Sequence, residues 1–83
     1  MTDSLRSEDY AKIALARLVR VFGAAEGEQV LARTLRLMNM ERLASADDLY
    51  RFASTLSRSS DPIAAAVGGL LGVTALLNGA SGQ

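Results

Sequence analysis

The chain has 83 residues, enough for one domain whose single core supplies only about a few kcal/mol of net stability. Nine basic residues balance nine acidic ones, so no global field draws in nucleic acid or anionic lipid. There is no Cys and no His, which excludes disulfides, thiolate chemistry, zinc sites of the usual kind and any nucleophile–base pair built on those side chains.

Apolar residues make up 49% of the chain, ample material for a core. Eight of the nine bases are Arg, a side chain suited to bidentate contacts. Asp3, Arg6, Glu8 and Asp9 occupy the stretch where a secretory segment would be apolar, so a cytoplasmic setting is expected.

Four helices are predicted, over about 8–22, 25–38, 46–57 and 62–78, in one all-α domain (1–83) with short flexible tails at 1–6 and 79–83. Ser7 can cap the first helix, with Glu8 and Asp9 near the positive end of its dipole. Gly23 ends it. Its apolar arc, Tyr10, Ala14, Leu15, Leu18, Val19, Val21 and Phe22, covers more than half the circumference, wider than one packing face needs.

The second helix places Val30, Leu31, Thr34, Leu35, Leu37 and Met38 on one face at helical spacing. Its short link to the first helix predicts an antiparallel hairpin. A connector follows, with Met40 and Leu43 expected to point inward. Ser45 with Asp48 reads as a capping box that uses Asp where Glu is usual. The third helix then turns Leu49, Phe52, Ala53 and Leu56 inward, with Tyr50 at the boundary. Asp61-Pro62 opens the fourth helix, with Asp as cap and Pro at the first position, and Asn78-Gly79 closes it.

The fourth helix is the informative one. From Pro62 to Gln83 no residue is charged, so the segment needs cover. At about 100° per residue it divides by size: Ala64, Ala65, Gly68, Gly69, Gly72 and Ala75 share one side, and Ile63, Val67, Leu70, Thr74 and Leu77 the other, with Leu71 and Val73 on the flanks. Three interior glycines cost about 1 kcal/mol each against Ala, and close backbone approach is the gain that offsets such a loss.

Cover can come from the chain itself, from a second copy or from lipid. In the first case the small side packs on the wide arc of the first helix and the large side fills the core. A second copy is the expected cover, because three short amphipathic helices surround a central apolar one only with difficulty. About 17 residues at about 1.5 Å each fall short of a hydrocarbon core of roughly 30 Å, so membrane insertion is not expected.

Catalytic chemistry has no foothold. Asp47 and Asp48 point about 100° apart and read as a charged helix start. The run from Gly23 to Gly27 lacks the Lys and Ser/Thr of a phosphate loop, and no acidic run has calcium-loop spacing. No catalytic residue, cofactor or metal is therefore expected, and the chain reads as no enzyme.

The reading that follows is a protein-interaction module (adaptor, scaffold or regulator) working as a homo-oligomer through Ala64, Ala65, Gly68, Gly69, Gly72 and Ala75. Its partner would be itself, with another protein as a further possibility. The alternative is a helix-turn-helix-like DNA regulator using Arg51, Ser54, Thr55 and Arg58, against which stand zero net charge, the Gly-free turn over 39–44 and the acids at 47 and 48. A membrane-associated helical peptide is the third class.

Overall fold

Four helices, α1 (Ser7–Phe22), α2 (Ala24–Leu37), α3 (Ala46–Ser57) and α4 (Pro62–Leu77), form the computed structural model of the chain. It describes residues 7–80, with side chains from residue 9 onward. The tail expected at 1–6, the Ser7 side chain on which its expected cap rests, and residues 81–83 lie outside these. Among the described residues there is no strand, and the all-α architecture holds.

The helices pair as two hairpins, α1 with α2 and α3 with α4, with fewer contacts crossing between the pairs. Gly23 alone joins the first pair. It sits at φ 90°, and its N–H donates to the Val19 carbonyl at 2.8 Å. α2 therefore starts at Ala24, a residue earlier than its apolar spacing suggests. The hairpin closes hardest at Gly27, where a Cβ would lie 2.8 Å from the backbone N of Val19 and 3.0 Å from its Cα. Any side chain at that position would hold the two helices apart.

The helix ends follow local hydrogen-bond chemistry. At the end of α2, the N–H of Met40 donates to the Leu35 carbonyl and that of Asn39 to the Arg36 carbonyl, both at 3.0 Å, with Asn39 at φ 58°. This is a Schellman stop, and Asn is one of the few side chains at ease in that conformation. At the start of α3, Ser45 Oγ accepts from the Asp48 N–H at 3.2 Å, and Asp48 Oδ2 accepts from the Ala44 N–H at 3.0 Å. The return bond thus reaches one residue beyond the usual capping-box target. Replacing Ser45 by Ala leaves one N–H of the first turn without its acceptor and is expected to cost about 1 kcal/mol, measurable by thermal unfolding.

α4 is capped by Asp61, whose Oδ1 accepts from the Ile63 N–H at 2.9 Å. It ends in a second Schellman stop, Ala80 N–H to Ala75 O at 3.0 Å and Gly79 N–H to Leu76 O at 3.2 Å. Ala80 packs against the core. Residues 79 and 80 thus belong to the helix stop and not to a flexible tail.

Each helix gives one stripe to the core: Tyr10, Ala14 and Leu18; Val30 and Thr34; Leu49, Phe52, Ala53 and Leu56; Ala64, Val67, Leu71 and Ala75. Leu43 from the connector is fully buried among them, as its apolar character predicts, while Met40 is half-buried. The outer edges of the predicted arcs did not follow. Val21 stands exposed on α1, and Leu37 at the end of α2 is 75% exposed at the mouth of a cleft facing the start of α4.

Candidate functional site

No charge marks an outer side on α4, and the structure separates its faces by side-chain size. Ala64, Val67, Gly68, Leu71 and Ala75 recur at helical spacing and are buried, and this face lies against α3. Gly68 is the crossing point. A Cβ there would lie 2.5 Å from the backbone N of Ser57, 2.8 Å from the carbonyl O of Ala53 and 2.9 Å from the Ser57 Cα. Backbones come this near only where side chains are missing, and a near approach multiplies dispersion contacts along both helices.

This corrects the small-residue interface expected from the sequence. Ala64, Gly68 and Ala75 are buried within the chain itself, Gly68 directly against the backbone of α3. Ala65 and Gly72 are half-buried, and a Cβ on Gly72 would make only an ordinary 3.8 Å contact with that of Ala53. Gly69 alone of the six is exposed, with nothing within 4 Å of where its Cβ would stand. The neighbour that uses the stripe is α3 and not the wide arc of α1.

The large residues expected inside are correspondingly outside. Val67 and Leu71 flank the glycine stripe closely enough to reach the core, but Ile63, Leu70, Val73, Leu76 and Leu77 are 54, 53, 56, 48 and 82% exposed. Ala66, also exposed, sits among them. Thr74, the polar residue of the helix body, is half-buried and its hydroxyl donates to the Leu70 carbonyl at 3.1 Å. α4 therefore presents a full helical face to solvent with no charge and no free side-chain donor on it. Single exposed apolar residues are ordinary; a contiguous row along an entire helix is not.

Beside this row a shallow hollow of about 240 Å³ runs between α3 and α4, floored by Gly69 and Gly72 and walled by Tyr50, Ser57, Val73 and Leu76. A second cleft of about 390 Å³ lies between α2, the end of α3 and the start of α4. Its apolar lining includes Val30 and Leu56, and its rim carries Glu26 and Asp61 alongside Arg33 and Arg58, both signs equally.

The residues of the DNA alternative do come together. Arg51, Ser54, Thr55 and Arg58 line one hollow of about 300 Å³ with Met38 and Met40. Arg51 and Arg58 are exposed, whereas the Thr55 hydroxyl is committed to the Arg51 carbonyl at 2.9 Å. α3 packs mainly on α4, and the exposed Asp47 stands at the end of α3 that would approach phosphates.

The carboxylates differ in setting, since half-buried Asp48 holds the Ala44 N–H while Asp47 is an exposed residue of the first turn of α3. Among the described residues no group of three or more potential ligand side chains clusters to hold a metal ion. Among them, too, no helix is long and apolar enough to cross a membrane. α4 with its 16 residues spans about 24 Å at about 1.5 Å per residue. No family model, curated protein or solved structure matches this chain.

Proposed function

We propose that the chain is a non-enzymatic protein-interaction module, an adaptor, scaffold piece or regulator, and that the outer face of α4 is its working surface. The observation that carries this reading is the row Ile63, Leu70, Val73, Leu76 and Leu77, each about half exposed or more on a helix without charge. Covering such a row releases about 25 cal/mol for every Å² of apolar area removed from water, and the fitting cover is another helix with an apolar face.

Leu70 makes the test clean, because it is exposed and sits outside the core. Glu has a helix propensity close to that of Leu, so Leu70→Glu keeps the fold. The expected result is loss of association, with itself or with a co-purifying protein, while helicity by circular dichroism stays unchanged. A wild-type chain that purifies as a lone monomer and retains no other protein would sink the reading.

The DNA reading is the lesser one. It rests on the shared hollow of Arg51, Ser54, Thr55 and Arg58. A neutral chain releases few counterions on binding, so in about 0.15 M salt no measurable affinity for duplex DNA is expected. Fluorescence anisotropy checks this; binding that persists at that salt and is lost on Arg51→Ala would reverse the preference.

A further inference from the structure

We infer that the occupant of the outer α4 face is the same face of a second copy of this chain, packed antiparallel about a two-fold axis at the middle of the helix. The inference rests on the reading of that face as a docking surface and names its partner.

Three observations point to a copy. The first is spacing. Ile63, Ala66, Leu70, Val73 and Leu77 follow one another at intervals of three and four residues, all are exposed, and none is polar. That is the seam of a two-helix coiled coil, presented outward.

The second is shape. The midpoint of α4 falls between Gly69 and Leu70. A two-fold axis there sets Ala66 opposite Val73 of the copy, small against large, and lays the two copies of Leu70 side by side across the axis. It brings Ile63 to the level of Leu76 and Leu77 of the copy at either end. A parallel pair would instead face each residue with itself, leaving Ala66 against Ala66 as a gap and Val73 against Val73 as a crowded layer.

The third is charge. An isologous contact brings every residue of the patch near its own duplicate, so any charge on it would repel its equivalent. This face has none, and offers nothing that would select a charged partner instead. The acid at its edge, Asp61, caps the N-terminus. Antiparallel packing holds the two copies of Asp61 a helix length apart and opposes the helix dipoles favourably, whereas parallel packing would bring the two carboxylates together.

The exposed fractions of the five large residues amount to on the order of 500 Å² of apolar surface per copy, below the roughly 800 Å² per partner of a standard interface. The pair is therefore expected to be weak and concentration-dependent, not permanent.

The test uses the full chain. Light scattering across a wide concentration series is expected to show a mass rising from one chain toward two, and Leu70→Glu to return it to one chain at every concentration. The absence of native Cys allows a register check. A mixture of Ala66→Cys and Val73→Cys chains is expected to cross-link between unlike chains faster than either variant cross-links with itself.

Rapid self-linking of Ala66→Cys alone would overturn the antiparallel register. A constant single-chain mass would overturn self-pairing altogether, and two parallel measurements then separate the readings. Retention of a cell-extract protein by the wild type but not by Leu70→Glu keeps the docking surface and rejects the copy. Partition into phosphatidylcholine vesicles that Leu70→Glu abolishes assigns the face to lipid and rejects both, as does a monomer that binds neither.

Discussion

Gly68→Leu is expected to leave the chain unfolded at room temperature. Even the first carbon of a side chain at this position would lie 2.5 Å from the backbone N of Ser57 and 2.8 Å from the Ala53 carbonyl, and a main chain inside a helix cannot step aside alone. α3 and α4 would have to separate, and they form the most extensive contact in the fold. Overpacking of this kind costs about 1–3 kcal/mol for modest insertions and more for a full side chain, against a domain of this size that holds only about 3–5 kcal/mol.

Gly68→Ala is the graded version. Its methyl gains about 1 kcal/mol in helix propensity and still loses to the clash, so net destabilisation is expected in urea unfolding. The matched control is its neighbour. Gly69→Ala meets nothing within 4 Å, so the folded monomer should gain about 0.5–1 kcal/mol from the same change. Opposite signs at adjacent positions are a demanding outcome. A Gly68→Ala variant as stable as the wild type would show that α3 and α4 do not cross at this residue.

Phe52→Ala carries the second large effect. Phe52 is fully buried and is the largest side chain sealed in the core, at the centre of the inner face of α3. Truncation removes its transfer free energy and leaves a cavity that the surrounding helices fill only in part, a loss of about 3–5 kcal/mol. That matches the whole stability expected of an 83-residue domain. Circular dichroism at 25 °C should show loss of most helicity, whereas Phe22→Ala, at a half-buried site on α1, should remain folded with a lowered Tm. A cooperative Phe52→Ala melt near the wild-type temperature would contradict the packing described.

Much of the fold was legible before any coordinates. Caps and stops are local chemistry: Ser45, Asp61 with Pro62, Gly23 and Asn78-Gly79 mark helix ends whatever the rest of the chain does. The inner face of α3 was equally plain, because Arg51, Ser54 and Arg58 label its outer side, and Leu49, Phe52, Ala53 and Leu56 all proved buried. Leu37 was misplaced for the opposite reason. It fits the apolar spacing of α2, but spacing alone does not say how far along a helix its neighbour's cover extends.

The sequence by itself determined that there are four helices, where they begin and end to within one residue, and that α4 needs cover beyond water. Those properties depend on hydrogen bonds and periodicity within a few residues. Only the tertiary structure decided which side of α4 is inside. A helix with no charge and a single Thr, whose hydroxyl bonds its own backbone, is nearly indifferent to solvent direction, so its orientation follows from how near a neighbouring backbone can come. Gly68 permits α3 to come nearest, Val67 and Leu71 follow it inward, and Ile63, Leu70, Val73 and Leu77 are left facing out. The same rule placed Gly27 beneath α1, a contact with no signature in the local sequence, because it depends on which backbone passes overhead.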